Sequence, residues 1–420
     1  MSANRKEPKE IGRRSYKPIV GCFLLAVLGI HAFLLWNVRG RVRKGDPDFT
    51  VYYTAARILR EGRAPALYDA STQQAVQWEF ATDTDIRRGP LPYIHPPFEA
   101  LIFLPLSYVD YTHAFWFWNL VNLLLLFVIA QLLRRSLPSL QAVPLWLWIA
   151  FMLSFFPVFA NFLQGQDAIL LLLVFVLVFR ALDRGALFLA GCWLGVGVFK
   201  YHFAIPLLLI LAVWMGWRLV SGFAATSSVL ALLSLAIVGW RGALRYPGYA
   251  WRVVSLPGHG QTPVGLMSNL LGLVAGWAWP PDIDLALHLV VAVASLALFI
   301  AVAAMRRLAR DRQLFRVGFG CAVITALLVG YNTNMHDLSL LVLPLVLLAD
   351  HCVSHSLDRR QVQSLLAPVL PLLISPLWIF LWLEWKKLNV MAIFLLWWLF
   401  VMRKEIASAK SQRAGFMSPA

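Results

Sequence analysis

The chain has 420 residues, 60% of them hydrophobic and 13% aromatic, and only 14% carry charge, against roughly 25% in soluble domains. That composition excludes a soluble globular enzyme and predicts an all-α polytopic membrane protein. The net charge of +16 does not point to nucleic acid, because the Lys and Arg residues fall in short clusters between apolar runs, the pattern of cytoplasmic loops.

Residues 1–18 form a basic cytoplasmic segment, and the apolar run 19–38 behind it is long enough to cross about 30 Å of hydrocarbon. It has no small-residue cleavage site and reads as an uncleaved signal anchor. Further apolar runs at 111–133, 143–162, 167–182, 186–199, 201–216, 221–239, 283–304, 314–330, 337–350, 364–383 and 388–402 bring the expectation to about 12 transmembrane helices in one domain, 19–402. With the N-terminus inside, this count places Arg134 with Arg135, Arg180 with Arg184, Arg218, Arg306 with Arg307 and Arg310, Arg359 with Arg360, and Arg403 with Lys404 in the cytoplasm. Arg39, Arg41, Arg43 and Lys44 fall outside, against the rule. The run 96–106 is too short to cross and is predicted to be re-entrant or interfacial. The basic tail, 403–420, is expected to be a disordered cytoplasmic end near anionic lipid.

The four cysteines, Cys22, Cys192, Cys321 and Cys352, lie in or beside apolar segments without C-x-x-C spacing. Neither a disulfide framework nor a zinc site follows. Three loops, 40–95, 240–267 and 331–337, face the extracytoplasmic side, and no cytoplasmic domain is large enough to bind a nucleotide. Any chemistry is therefore expected outside a cell membrane, with both chain ends in the cytoplasm.

In the first loop, Asp46-Pro47-Asp48 has the spacing of a metal-binding D-x-D. A nucleotide-sugar site belongs in the cytoplasm, so no metal site is expected here. Phe49, Tyr52, Tyr53 and Ala56 recur at steps of three and four, predicting an amphipathic helix that Asp48 caps. Gly62 and Pro65 end it, a second helix covers 68–80, and the two are expected to lie on the membrane surface. His95-Pro96-Pro97 closes the loop with extended backbone.

The run 186–199 is only about 21 Å long as a helix, and Lys200 separates it from 201–216. Two such runs cannot both cross if they meet at a surface turn, which places Lys200 and His202 at membrane depth, at the floor of an outward cavity. An intramembrane lysine is costly and commonly functional. The alternatives are snorkelling to an interface or pairing with an acid such as Asp167. A cation in that position suits the phosphate of a lipid-linked head group.

The segments DFTVYYTAARIL, YIHPPFEALIFLPL, the long stretch from FFPVFANFLQGQDAILL to GVFKYHFAIPLLLIL, GQTPVGLMSNLLG and YNTNMHDLSLLVLPLVLL resemble, in order and spacing, glycosyltransferase family 87. The resemblance runs over 19–400. It implies a GT-C-like bundle and an inverting transfer of mannose or a related sugar from a polyprenyl-phosphate donor to a lipid or glycan acceptor, without a cofactor. It also implies that Asp48 is the general base and that Gln166, Lys200 and His336 occupy family motif positions. His95 stands where the family has Tyr before Pro-Pro, Tyr201 follows Lys200 where Pro is usual, and the late turn lacks its Ser-Pro and Trp. Those departures bear on the sugar and acceptor, and loss of activity also fits them.

On this reading Lys200, His336, His202 and Arg57 neutralise the donor phosphate, while Gln166, Gln164, Tyr52, His95 and Asn334 contact substrate. Tyr53 and Trp251 are further candidates for stacking on sugar faces. Each residue also has a plain structural reading: Arg57 on head groups, the glutamines at a helix end, His336 in its own turn, and Tyr52 and Tyr53 as interfacial anchors. A flippase for a lipid-linked sugar and a membrane assembly protein are the competing classes; the sequence shows no internal repeat of the kind common in transporters.

Overall fold

A computed structural model describes residues 17–81, 91–255, 263–275, 284–306, 311–355, 357–386 and 389–416. The basic residues before Lys17, and Arg307 and Arg310, lie outside the described residues. The described chain is helical throughout, without strands, as a bilayer requires of a chain that does not close a barrel. Six helices are long and apolar enough to span: Gly21–Arg43, Tyr111–Ser136, Leu187–Met215, Trp217–Val253, Leu285–Arg306 and His336–Ser354. A pair bent by 72°, Leu145–Ser154 with Phe156–Gln164, makes a seventh candidate.

In chain order the helices that position the site are α1 (Lys17–Asn37), α2 (Phe49–Arg60), α3 (Ala70–Trp78), α4 (Pro97–Phe103), α5 (Tyr111–Ser136), α6 (Leu145–Ser154), α7 (Phe156–Gln164) and α8 (Ala168–Asp183). They continue as α9 (Leu187–Val196), α10 (Tyr201–Met215), α11 (Trp217–Ser255), α12 (Asp284–Ala303), α13 (Arg312–Val329), α14 (Val342–Ser354) and α15 (Val390–Phe416).

The runs 186–199 and 201–216 are α9 and α10, joined through a 3-10 turn at Gly197–Lys200. The chain reverses at that turn, because Gly191 of α9 touches Leu219, just past the end of α10, whereas a straight helix through both would hold them about 40 Å apart. Lys200 therefore sits where two short helices meet, and Leu187–Met215, although long and apolar enough to span, is a hairpin. Other sequence expectations change. The loop expected from 240 does begin at a helix break, Gly239 with φ 66 and ψ 176, but it is itself helical through Ser255, so α11 is two helices meeting at that glycine. The tail expected to be disordered continues α15 as far as Phe416. The run after Pro96 is short, as expected: α4 and a 3-10 turn end at Tyr108.

The helix α2 is packed inside the protein, whereas α3 buries Thr72, Gln73, Val76 and Gln77 and leaves Ser71, Ala75 and Trp78 exposed. Phe49, Tyr52, Tyr53, Ala55, Ala56 and Ile58 of α2 are buried in an aromatic cluster with Tyr68, Tyr93, Phe103, Phe115, Trp118 and Tyr249. The three-and-four spacing does face a core, but that core is protein. The separate and larger core of the bundle is centred on α8, α13 and α14. Asp69 caps α3, accepting from the amides of Ser71 at 2.9 Å and Thr72 at 3.3 Å, so the second helix starts where its polar residue dictates. Small residues set the closest helix contact: a Cβ on Gly191 of α9 would lie 2.0 Å from the Leu219 carbonyl, and one on Gly222 of α11 would lie 2.0 Å from that of Phe188. Glycine on both sides lets the two backbones touch.

Candidate active site

The site begins at the joint between α7 and α8. Gly165 ends α7 in the left-handed region at φ +59, and a Cβ there would sit 2.8 Å from Phe49 Cβ and 2.9 Å from the Phe115 ring. Glycine therefore serves twice, supplying the turn and admitting the start of α2 against it. Gln166 follows, and its backbone carbonyl accepts from Trp118 Nε1 at 3.0 Å and Asn122 Nδ2 at 3.2 Å. Its side chain accepts from the Tyr52 hydroxyl at 2.7 Å and donates to Asp48 Oδ2 at 2.8 Å.

Asp48 is at the N-terminal position of α2, as the periodicity predicts, but its side chain makes no bond to the first turn of that helix. The expected cap is absent because the residue has helical backbone angles, φ −58 and ψ −21, which turn the carboxylate away from the amides. Gln166 holds it instead. The Asp48 amide donates to Gln164 Oε1 at 3.1 Å, so both glutamines of the α7–α8 joint serve to place this one acid. Asp46 pairs with Arg41 at 3.3 Å, separate from Asp48.

Lys200 is 3% exposed. Its Nζ lies 2.9 Å from Asp167 Oδ1 and 2.6 Å from Asp337 Oδ1. The ammonium is therefore shared between two buried carboxylates, and pairing with Asp167, one of the alternatives from sequence, is what is observed. Three interruptions of helix meet here: Gly165 to Asp167 between α7 and α8, the 3-10 turn before α10, and the turn from Gly330 to His336 after α13. Asp337 Oδ2 accepts from the Asn334 amide at 2.8 Å, closing that last turn.

A cavity of about 480 Å³ opens over these groups, with Asp48, Tyr52, His95, Gln166, Lys200, His202, Asn334 and His336 all on its wall. Eight of the ten candidate residues thus share one space. Gln164 is behind it, and Arg57 is elsewhere, paired with Glu61 and Glu79. Sequence spacing put Arg57 two turns along α2 from Asp48 but could not show that two acids outside the cavity claim it. Tyr53 packs away from the cavity, donating to the Val109 carbonyl at 2.7 Å, and Trp251 is exposed and off the wall.

His95 Nδ1 lies 2.9 Å from Glu99 Oε2. Burial pushes the Glu99 carboxyl above the ordinary carboxylate range; the nearby His95 ring opposes this and Asp167 adds to it. His95, Glu99 and Asp167 bring ligand atoms within 4.8 Å of one another, the one group of chelating side chains among the described residues. Lys200 on Asp167 already supplies a positive partner there, and the His95 ring occupies Glu99.

Sequence reasoning gave Asp337 and Glu99 no role and missed Tyr201, Tyr331 and Asn332 on the wall. Asp337 had a signal: a buried lysine requires acids, and this one directly follows a candidate histidine. Glu99 had a weaker one, as the lone acid in an apolar run. The tyrosines had none, since their hydroxyl contact at 3.2 Å joins positions 130 residues apart.

A bundle of apolar helices that encloses, where its helices break, a carboxylate, an ion-paired lysine and several histidines has the makings of a membrane-embedded enzyme. Residues 93–330, more than half of the chain, match glycosyltransferase family 87, and the chain belongs to that family. Gln166 and Lys200 fall within the match, whereas Asp48 and His336 flank it. No curated protein matches the sequence.

Proposed function

We propose that the cavity transfers a sugar, mannose or a related hexose, from a polyprenyl-phosphate donor to a hydroxyl of a lipid or glycan acceptor, with inversion, in a GT-C-like arrangement at the outer face of the cell membrane. The observation that carries the reading is the fixed Asp48 carboxylate, held by Gln166 at 2.8 Å on the wall that also presents Lys200 and His336. In the transfer, Asp48 takes the acceptor proton as the acceptor oxygen bonds to the anomeric carbon and the sugar–phosphate bond breaks. The bond electrons leave with the phosphate, and Lys200, His202 and His336 stabilise the polyprenyl-phosphate anion. No cofactor or metal enters the scheme.

Apolar wall residues support a lipid donor. Val253, Val264, Met267 and Leu271 line the cavity beside the polar groups, a mixture that suits a polyprenyl chain next to its phosphate. Tyr52, His95, Gln166 and Asn334 form the polar side, where the sugar and acceptor are placed. The sidedness rests on charge: Arg135, Arg180, Arg184 and Arg316 collect at the other end of α5, α8 and α13, which the positive-inside rule assigns to the cytoplasm together with both chain ends.

The test is transfer of label from a polyprenyl-phosphate sugar by purified wild type, Asp48→Asn and Asp46→Asn. Loss by at least 100-fold, on the scale of general-base catalysis (about 10²–10⁴), is expected for Asp48→Asn alone. Equal rates for wild type and Asp48→Asn would remove the base. Movement of the intact lipid across the bilayer with no transfer would instead make the protein a flippase.

A further inference from the structure

We infer that the end of the bundle opposite the cavity carries a second anion site, shaped for the phosphate of an anionic membrane lipid. Four arginines from three helices converge there: Arg135 at the end of α5, Arg180 and Arg184 at the end of α8, and Arg316 in the first turns of α13. They line a cavity of about 430 Å³. Two carboxylates oppose them: Asp350, 2.6 Å from Arg316 Nη1, and Asp183, 3.8 Å from Arg316 Nη2. Four guanidiniums against these two carboxylates leave an excess of two positive charges.

The position is that of a lipid head group. Helices α5, α8 and α13 each run between the catalytic cavity and this end, so the arginines lie a full helix away from Asp48. On α5, Phe117, Val121, Leu124 and Val128 are exposed and recur at steps of four, three and four, two turns before Arg135. They belong to the broad exposed apolar face of α5 that also carries Trp116, Leu120, Leu123 and Phe127, along which an acyl chain can lie with its phosphate toward the guanidiniums. Arginine forks match phosphate oxygens in pairs, and basic pockets between transmembrane helices select anionic head groups. Nothing in this depends on the donor or acceptor of the transfer reaction.

The test is native mass spectrometry of the full chain in detergent, titrated with phosphatidylglycerol, phosphatidylcholine or inorganic phosphate. Wild type, the Arg135→Ala/Arg184→Ala double variant and Arg218→Ala as a control are compared; Arg135, Arg184 and Arg218 are all exposed, so their removal spares the fold. Phosphatidylglycerol is expected to bind more tightly than the zwitterionic lipid, weakening roughly fivefold per arginine removed and about 25-fold in the double variant, with Arg218→Ala unchanged. Inorganic phosphate that binds with the same arginine dependence assigns the site to phosphate as such; no binding of phosphate alone makes the apolar face part of the site. Equal phosphatidylglycerol binding by wild type and the double variant, or an equal loss in Arg218→Ala, overturns the inference.

Discussion

Replacing Lys200 by Met removes the one ammonium within 3 Å of both Asp167 and Asp337. With distances of 2.9 and 2.6 Å and all three side chains at most 4% exposed, the substitution leaves two buried carboxylates without their cation. Breaking a buried pair in this way costs about 3–5 kcal/mol, most of it the penalty on the abandoned acids and not the worth of the bond. Neutralising them as well, in Lys200→Met/Asp167→Asn/Asp337→Asn, removes that penalty, so the triple variant is expected to be more stable than the single one. Thermal unfolding in detergent, followed by the fluorescence of the 18 tryptophans, reads the difference directly. The single variant should melt several degrees below wild type, and the triple variant should recover most of the loss. Transfer activity separates the roles: recovered stability without recovered transfer assigns Lys200 to the chemistry as well as to the charge balance. A single variant that melts with wild type would refute the charge argument.

Gly165→Ala should lower stability by about 2–4 kcal/mol, combining a left-handed penalty of about 1–2 with an overlap of about 1–2 against Phe49 and Phe115; it should also lower transfer, because Phe49 adjoins Asp48. Thermal melting and the labelled-donor assay measure both, and wild-type values in each would mean that the joint yields freely. Tyr52→Phe leaves Gln166 Oε1 without its donor at 2.7 Å, and a buried acceptor stripped in this way costs about 1–3 kcal/mol. Transfer is expected to fall about tenfold, with Asp48 less firmly held, and an unchanged rate would show that Gln166 needs no support.

Span-level features were readable because they depend on local composition. The apolar runs, the helix at Phe49 and the short stretch after Pro96 all follow from residues near one another in the chain. What the sequence left open were partners at the junctions. A lysine between two apolar runs reads as a turn, and the 3-10 segment does turn the chain there, but the local sequence left open which acids neutralise it: Asp167 and Asp337, 33 positions before and 137 after. A surface helix and a buried one share the same periodicity, so α2 could be assigned its faces but not its neighbours. Asp48 was found for the right position and the wrong bond: capping is a local rule, whereas its actual partner is 118 residues away.

The helix breaks also divide the polar residues of the site into two kinds. Irregular backbone at membrane depth must be satisfied by protein or by a water-filled cavity, and several side chains are committed to that task. Asn269 donates to the Gly330 carbonyl at 2.5 Å and accepts from the Gly272 amide at 2.7 Å, Thr333 donates to the Leu327 carbonyl at 2.7 Å, and Gln164 holds the Asp48 amide. Changing these residues alters the frame before it alters recognition. Asn332 and Asn334 differ: each presents a buried side-chain oxygen with no hydrogen-bond partner among the described residues, and both line the cavity. Unpaired acceptors at such a wall cost energy unless water or a ligand hydroxyl meets them, and a sugar offers hydroxyl donors in that form. On the proposed function, selectivity for one sugar over another is expected at Asn332 and Asn334, in the turn where this chain departs from the family pattern, more than at Gln166, whose side chain already bonds Tyr52 and Asp48.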